Sequence, residues 1–488
     1  MSNSGRESIS KNDFLMKIFL SLIIFFFASQ NLFPQKNLGK LYRDINKVLS
    51  DDFFTSAQIG IDVYDLTTQE SLYKKNEKLL SRPASNLKIL TSVSGLLFLG
   101  PDYNFTTALY HTGHIENHTL YGDLYLVGGF DPLLSTADLD TLLIGLKQAG
   151  VENIEGNIYA DVSKKDSLFW GAGWMWDDDP STDAPYLSSL NINENSVKIA
   201  YQPSIIDSLI NVELIPESDY FTLKNTAVTI RGDSSRVKSS RNWIDRGNEI
   251  LVSGYLPYYA QPDTDEVNIF NPPLYCLNLF KDSLIKNHIF FDSIIDTATL
   301  NQEANLIGLY NRTFGDVINK LNKDSDNLIA EMTLYALAYK YNLKPVTAEE
   351  GVKVIDSLIT LTGLDPEHYR IVDGSGVSHY NLISPELILG VLSYIYYNEP
   401  GLFDIFYKSL AIAGVDGTLE KRMIGTKSEN NVRAKTGTIS GVSCLSGYVR
   451  AANGHNLAFS IMIQNFATKA RVAKRFEDQI CNILAEYK

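Results

Sequence analysis

The chain of 488 residues carries, in this order, Ser85-Asn86-Leu87-Lys88, Ser325-Asp326-Asn327 and Lys435-Thr436-Gly437. The first pattern, S-x-x-K, is weak by itself, because it also begins at Ser8, Ser71, Ser235 and Ser283. S-D-N and K-T-G each occur once, and such an ordered trio arises by chance in roughly one per cent of chains of this length. Together the three patterns indicate a serine acyl-transfer site.

The surroundings of the patterns fit one site. Apolar residues at helical spacing follow Ser85, and Gly100-Pro101 ends that segment, so Ser85 is predicted at a helix N-terminus. Helical spacing also follows Asn327. Residues 432–440 are predicted to form a strand that carries the K-T-G pattern.

The chemistry of acyl transfer assigns a role to each polar side chain. A serine hydroxyl needs an adjacent base, and Lys88, three residues after Ser85, can lie on the same helix face. Lys88 must be neutral to accept a proton, which burial and a second cation favour. Lys435 is the predicted second cation, and Ser325 is predicted to relay a proton to the leaving amine.

The remaining motif residues are predicted to bind substrate. Asn327 can hold a carbonyl or amide group of the substrate. On a strand, Lys435 and Gly437 share one face, and Thr436 and Thr438 share the other. Gly437 allows a close approach to the backbone. The Thr438 backbone N–H is predicted to form an oxyanion hole with that of the serine.

Strands are predicted near both ends of the chain, over residues 57–65, 71–73, 443–450 and 457–463 in addition to the K-T-G strand. Helical texture predominates between them, except for β-like runs and many turn residues over residues 101–270. The sequence therefore predicts one α+β domain that is split by a β-rich insertion.

Composition narrows the classes of function. The chain is 44% hydrophobic with a net charge of −14, and no basic run interleaved with aromatic residues suggests nucleic acid as a partner. Lys17 and the apolar residues 18–28 predict a signal peptide over residues 1–30, with secretion across the inner membrane to the periplasm or cell envelope. An uncleaved signal anchor is the alternative route to a membrane.

Neither a metal site nor a disulfide framework is expected. Three cysteines lack close spacing and are interpreted as small buried side chains (Cys276, Cys444 and Cys481). Three histidines within a β-like stretch have no partnering carboxylate pattern and are interpreted as surface residues (His111, His114 and His118).

Further blocks extend the pattern along the chain: Arg82-Pro83-Ala84-Ser85, Gly128-Gly129-Phe130-Asp131-Pro132, Asp373-Gly374-Ser375-Gly376, Asn381-Leu382-Ile383-Ser384-Pro385, Ala413-Gly414-Val415-Asp416-Gly417-Thr418-Leu419 and Lys435-Thr436-Gly437-Thr438. With these blocks the chain resembles the low-molecular-mass class C penicillin-binding proteins, which are D-alanyl-D-alanine carboxypeptidases and endopeptidases. The long gap between Ser85 and Ser325 fits that group, which carries two extra domains there, and does not fit a class A β-lactamase.

The resemblance implies a β-lactamase/transpeptidase-like split domain, an antiparallel sheet covered by helices, with two inserted and mostly β domains. We expect the DD-peptidase domain over residues 36–100 and 271–488. Inserted domain II is expected over 101–165 and 250–270, and inserted domain III over 166–249.

The resemblance also implies an activity. The enzyme would attack the bond between two D-alanines of a peptidoglycan stem peptide and form an acyl-enzyme on Ser85. Lys435, Thr436 and Thr438 would hold the terminal carboxylate. β-Lactams would be covalent inhibitors, and no cofactor would be needed.

Two positions depart from the group. Phe130 is a bulky residue in the Gly129-Phe130-Asp131 segment, where the group more usually has Gly-Asp-Pro. His379 stands where the group frequently has an arginine that meets an acidic substrate side chain, which leaves the side-chain preference open and suggests pH-dependent binding. Residues 174–179 and 184–186 resemble the loop that reaches from an inserted domain towards the active site, and Asp178 is the candidate substrate contact there.

Two other readings stay open at this point. One is a β-lactamase or esterase with the same chemistry, which would need a base for fast deacylation, and no glutamate is evidently placed for it. The other is a non-catalytic cell-wall-binding protein that keeps the fold, although no motif residue is missing.

Overall fold

The computed structural model describes residues 37–488 except 293, 343 and 344, so the signal peptide predicted over residues 1–30 lies outside the described residues. The helices are α1 (37–48), α2 (Lys88–Ser94), α3 (Thr136–Leu142), α4 (Ile144–Gln148), α5 (Pro272–Lys286), α6 (Phe314–Lys323), α7 (Asn327–Asn342), α8 (Ala348–Leu361), α9 (Pro385–Asn398), α10 (Pro400–Ser409) and α11 (Arg471–Ala485). Among the described residues, no helix is both long and apolar enough to cross a membrane.

The strands of the two chain ends are β1 (Gln58–Asp65), β2 (Glu70–Lys75), β19 (Ala411–Ile412), β20 (Arg433–Ile439), β21 (Val442–Arg450) and β22 (Asn456–Gln464). They form one 6-stranded sheet in the order β19-β20-β21-β22-β1-β2, and every neighbouring pair is antiparallel. The predicted sheet built from both ends of the chain is confirmed.

Helices cover both faces of this sheet, as β22 makes clear. Its side chains alternate, so that Ile461 packs into a core with α1 and α11 while Met462 packs into a core with α2 and α6 to α10. A strand that is buried on both faces must be apolar at nearly every position, and β22 is buried from Leu457 to Gln464. The α+β class with helices on the sheet is therefore confirmed.

The insertion contains the strands β3 (Asn104–His111), β4 (His114–Glu116), β5 (Thr119–Tyr121), β6 (Leu124–Val127), β7 (Asn153–Ile154), β8 (Ile158–Asp161), β9 (Ser196–Gln202), β10 (Asn211–Ile215), β11 (Thr222–Asn225), β12 (Val228–Ile230), β13 (Arg236–Arg241), β14 (Glu249–Pro257), β15 (Asp263–Asn268), β16 (Phe290–Phe291), β17 (Ile295–Thr297) and β18 (Asn305–Thr313). One sheet of the insertion has 5 strands in the order β17-β8-β6-β3-β18. Another has 4 strands in the order β16-β7-β5-β4.

Two expected domain boundaries are wrong. The sequence places residues 271–313 in the split domain, but β16, β17 and β18 pair with strands of the insertion, and the buried side chains of α5 belong to its core. The sequence also groups residues 250–270 with 101–165, but β14 pairs with β11, β12 and β13, and β15 pairs with β9. Local sequence texture does not show these boundaries, because each strand pairs with a partner that is distant in sequence.

Phe130 joins the insertion to the split domain. It is 1% exposed and belongs to the core of the split domain. Its ring stacks on Tyr335 of α7 at 6.2 Å and meets Tyr339 edge-on at 5.7 Å. The bulky residue in the Gly-Gly-Phe-Asp-Pro block therefore packs against the helix that follows Ser325.

Replacing Phe130 with alanine should lower the free energy of unfolding by about 3–5 kcal/mol, because it leaves a cavity between the two tyrosine rings. Urea denaturation followed by circular dichroism measures this loss. Phe290→Ala is the matched control: that side chain is 56% exposed, so its removal should change the free energy by less than about 0.5 kcal/mol. Equal losses in the two variants would contradict the assignment.

Candidate active site

Ser85 lies in a 3-10 turn, Ala84–Leu87, that leads directly into α2. Ala84 has a φ of +46°, a backbone conformation that costs a non-glycine residue about 1 kcal/mol or more. Gly376 lies against this turn, and a Cβ at Gly376 would come within 1.9 Å of the Ala84 carbonyl oxygen. The close approach of the two segments explains the glycine and fixes the turn that carries Ser85.

The Lys88 amine contacts three other groups of the site. Its Nζ lies 3.0 Å from Ser85 Oγ, 2.5 Å from Asn327 Oδ1 and 2.7 Å from the Ser375 carbonyl oxygen. A neutral amine can donate two N–H groups to the amide and carbonyl oxygens while its lone pair accepts the Ser85 proton. The arrangement therefore suits a base that takes the proton of Ser85.

Burial makes the neutral form of Lys88 accessible. The side chain is fully buried, which lowers its pKa to about 8, although the carboxylates of Asp373 and Glu331 act in the opposite direction. Lys435 is also fully buried, and burial together with the Lys88 charge lowers its pKa well below the usual value. The charge of Lys88 therefore disfavours the charged form of Lys435. The role of Lys435 as a second cation that lowers the pKa of Lys88 stays a prediction.

Two buried carboxylates hold the loop behind Lys88. Glu331 Oε1 accepts the Gly374 and Ser375 N–H groups at 3.0 and 2.8 Å. Asp373 accepts the N–H groups of Gly376 and Ser378. Burial and the neighbouring Asp373 raise the pKa of Glu331 to about 7. The loop that presents the Ser375 carbonyl to Lys88 is therefore fixed from both sides.

The K-T-G strand borders the nucleophile turn. The outer edge of β20 is paired with β19 only through Arg433 and Ala434, so the edge from Lys435 onwards faces the turn of Ser85. Asn86 Nδ2 donates to the Lys435 carbonyl oxygen at 3.0 Å, and a Cβ at Gly437 would meet the Pro83 carbonyl oxygen at 2.7 Å. The glycine is needed because the strand and the turn are in close contact.

Successive side chains of β20 point to opposite faces of the strand, so the threonines and the lysine of the K-T-G segment lie on different sides. Thr436 and Thr438 line the cleft, whereas Lys435 lies beneath it and donates to the Thr436 carbonyl oxygen at 3.0 Å. Thr436 Oγ1 also contacts Thr418 Oγ1 at 2.8 Å. The hydroxyl groups are thus at the surface of the site and the buried amine is behind them.

Ser325 and Asn327 lie at the start of α7. Ser325 lines the cleft with a φ of +65°, and its hydroxyl has no hydrogen-bond partner among the described residues. Asn327 also lines the cleft, but its Oδ1 is bonded to Lys88 and its Nδ2 donates to the Asp183 carbonyl oxygen at 2.6 Å. In this structure the direct partner of Lys88 is therefore Asn327 and not Ser325.

These groups border a cleft of about 820 Å³ that is also lined by the two remaining candidates, Asp178 and His379. Asp178 lines it, and its Oδ2 accepts the Met175 N–H at 2.8 Å. His379 lines it with Nδ1 at 3.4 Å from Arg82 Nη1. The structure brings all ten sequence-predicted site residues to this cleft or to its immediate walls.

The residues behind the cleft were not assigned roles from the sequence. Glu331, four positions after Asn327, and Asp373 support Lys88 through the 373–378 loop, and Trp174 Nε1 donates to Asp373 Oδ2 at 3.0 Å. The i, i+4 spacing on α7 was an available signal for Glu331. The three cysteines are free and buried, and among the described residues no group of three or more His, Cys, Asp or Glu could hold a metal ion.

The serine with its buried lysine partner, the K-T-G strand at the edge of the split sheet and the S-D-N residues at the start of α7 define the class of acyl-transferring serine hydrolases. The D-Ala-D-Ala carboxypeptidase 3 (S13) family matches residues 41–487. A D-alanyl-D-alanine carboxypeptidase from an Actinomadura species is 31% identical over 470 residues, covering 92% of this chain and 85% of the relative. The D-alanyl-D-alanine carboxypeptidase DacB of Haemophilus influenzae is 27% identical over 443 residues, covering 88% and 92%.

A solved structure agrees with this match. The crystal structure of penicillin binding protein 4 from Haemophilus influenzae superposes with a TM-score of 0.80 at 26% identity, covering 91% of this chain and 99% of that one. The chain belongs to the D-Ala-D-Ala carboxypeptidase 3 (S13) family, and it is a serine-type hydrolase. The resemblance noted from the sequence is confirmed.

The lowered pKa of Lys88 can be measured directly. In protein with ¹³C-labelled lysine, the Lys88 Cε resonance should titrate with a midpoint at about 8, with the amine charged below and neutral above that pH, instead of about 10.4 for an unperturbed lysine. Lys88→Met assigns the resonance by its loss. A midpoint near the unperturbed value would contradict the role of burial.

Proposed function

We propose that this protein hydrolyses the terminal D-alanyl-D-alanine bond of peptidoglycan stem peptides, as a carboxypeptidase with endopeptidase capacity, through an acyl-enzyme on Ser85. One observation carries the proposal: Ser85 Oγ lies 3.0 Å from the amine of a fully buried lysine, inside a cleft lined by Ser325, Thr436 and Thr438. Membership of the family supports the choice of substrate.

In the proposed mechanism, neutral Lys88 takes the Ser85 proton while Oγ attacks the carbonyl carbon of the penultimate D-alanine. The tetrahedral intermediate then collapses, the C–N bond breaks, and the leaving amine of the terminal D-alanine receives a proton through the Ser325 hydroxyl. Water attacks the resulting ester by the reverse proton path and frees Ser85. The open hydroxyl of Ser325 supports this relay.

Two features support binding of an extended peptide along β20. The free edge of this strand offers backbone groups to a substrate strand. The Thr438 N–H on this edge and the Ser85 N–H in the turn before α2 are the proposed donors to the oxyanion, where donors fixed before the reaction stabilise the developing charge. Gly437 keeps the edge free of a side chain.

The terminal carboxylate is proposed to bind the hydroxyl groups of Thr436 and Thr438, with the amine of Lys435 behind them. A carboxylate that arrives in this site would favour the charged form of Lys435, since opposite charges stabilise each other in a site of low polarity. This interaction requires a free C-terminus and supports a carboxypeptidase.

The cleft is lined by acidic and by basic groups. Asp177, Asp178 and Asp183 line it, and His379 also lines it, beside the Arg82 guanidinium. A diamino acid side chain of the stem peptide carries a cationic amine, for which Asp178 is the proposed contact. An acidic group on the same side chain would lie towards His379.

Location and inhibition follow from the same proposal. A substrate in the cell wall requires export, for which residues 1–30 are the proposed signal peptide. A relative named for penicillin binding supports covalent inhibition by β-lactams at Ser85, with the lactam carbonyl in place of the D-alanine carbonyl.

Ser85→Ala should abolish labelling by a fluorescent penicillin and lower D-alanine release from a stem-peptide mimic by more than about 10³-fold, because the covalent route is lost. In-gel fluorescence and a D-alanine assay measure the two effects. Ser71→Ala is the matched control, since Ser71 also begins an S-x-x-K pattern but lies exposed on β2; both activities should be unchanged.

The same experiment separates the competing functions. Labelling of the wild type without D-alanine release would contradict the peptidase, rapid turnover of the penicillin would indicate a β-lactamase, and no labelling would indicate a wall-binding protein.

His379→Arg should raise the preference for stem peptides whose diamino acid carries a free carboxylate over the amidated form by about tenfold, because a guanidinium binds a carboxylate with two hydrogen bonds. The ratio of kcat/KM for the two peptides measures it. His379→Ala controls for loss of the imidazole. Equal changes for both peptides would mean that His379 does not contact that side chain.

A further inference from the structure

All four tryptophans of the chain lie in one cluster beside the cleft. Trp170 and Trp174 pack edge to face at 5.4 Å, and Trp176 and Trp243 lie 4.9 Å apart with an interplanar angle of 35°. The four rings border one open hollow of about 370 Å³. Residues far apart in sequence thus meet at a single surface, which we call the tryptophan platform.

The outer part of the platform is open to solvent. Trp176 is 71% exposed, and the neighbouring Ile244 is 75% exposed. Large apolar side chains grouped in this way on a protein surface mark a binding surface more often than isolated ones do. The inner pair, Trp170 and Trp174, is packed against the core of the split domain and supports the outer pair.

The platform is held rigidly from two sides. Trp174 donates to Asp373 Oδ2 of the split domain at 3.0 Å. Five residues later, Asp179 forms a buried ion pair with Arg241, 2.5 Å between Oδ1 and Nη2, and accepts the Tyr186 hydroxyl at 2.7 Å. A surface that is fixed before binding loses little conformational entropy when a ligand arrives.

The platform continues the catalytic cleft. Met175, Asp177 and Asp178 line the cleft, while Trp176, between them in sequence, lines the hollow of the platform together with Trp174 and Asp179. The cleft and the hollow of the platform are therefore adjacent. A group bound on the platform could be covalently attached to the peptide that occupies the cleft.

Charge distinguishes the candidate occupants. Arg246 is exposed and lines the hollow, and Asp177 and Asp245 are exposed within two residues of Trp176 and Trp243 in sequence. The chain has a net charge of −14, which opposes docking on an anionic membrane surface. An uncharged polyhydroxyl ligand meets no such repulsion, and carboxylate and guanidinium groups can hydrogen-bond to its hydroxyl and amide groups.

We propose that Trp176 and Trp243 bind an N-acetylated pyranose ring of the glycan strand to which the stem peptide is attached. One face of a pyranose ring presents C–H groups and stacks on an indole ring, while the ring's polar substituents reach Asp177 and Arg246. This inference rests on the proposed function. It makes the enzyme select stem peptides that are still attached to glycan.

The test compares two substrates: a free pentapeptide ending in D-alanyl-D-alanine, and the same peptide on an N-acetylglucosamine–N-acetylmuramic acid disaccharide. Trp243→Ala and Trp176→Ala should lower kcat/KM for the disaccharide peptide about tenfold through KM, and leave the free peptide within about twofold, since a tenfold change in affinity is the scale of one stacking contact. Trp243→Phe should restore most of the loss.

A direct binding measurement accompanies the kinetics. A soluble N-acetylglucosamine tetramer should change the tryptophan fluorescence of the wild type in a saturable way and should not do so in Trp243→Ala. Tyr258→Ala is the matched control and should behave as the wild type, since Tyr258 is an aromatic residue that is 55% exposed and does not line the hollow of the platform. Labelling by fluorescent penicillin verifies that each variant is folded.

The outcomes separate this inference from the proposed function. If the tryptophan variants leave the ratio of kcat/KM for the two substrates unchanged, the glycan site is overturned. The same holds if Trp176→Ala changes the mass of the protein in sedimentation, since Trp176 would then lie in an interface between copies. In both cases D-alanine release stays intact. If the wild type releases no D-alanine from either substrate, the proposed function fails, and the fluorescence titration still decides whether the platform binds the sugar.

Discussion

The hydrogen bond between Ser85 and the buried amine of Lys88 constrains much of the structure around it. An amine without solvent needs a fixed partner for every N–H group, because an unpaired polar group in the interior costs several kcal/mol. Here one partner comes from α7 and another from the 373–378 loop. The loop is held in turn by Glu331, so helix and loop act together to keep one lysine in place.

The insertion takes part in this arrangement. Trp174 donates to Asp373, which holds the 373–378 loop behind Lys88. The Asp183 carbonyl oxygen accepts the amide of Asn327, which contacts Lys88 directly. Phe130 packs on α7 from the same side. The inserted sheets are therefore part of the scaffold of the site as well as a neighbour of the cleft.

Particular residues explain how much could be predicted from sequence. Alternation and turn signals identified β1, β20, β21 and β22, since strands with buried faces repeat with a period of two. The three motifs identified Ser85, Lys88 and the K-T-G strand because their spacing reflects chemistry. The positions of residues 250–313 could not be predicted, since they depend on which distant strand each segment pairs with. Likewise, nothing local shows that Asn327, and not Ser325, is the direct partner of Lys88.

The sheet joins a strand from near the start of the described chain to a strand from near its end, since Val63 of β1 faces Phe459 of β22. Pairing over so great a separation in sequence is slow, since the chain must close a very long loop before the contact stabilises it. During synthesis of the chain Ser85 appears early, whereas β20, the strand that borders it, appears near the end. A chain that is still being synthesised therefore has no complete site, and hydrolysis begins only after the C-terminal strands have joined β1.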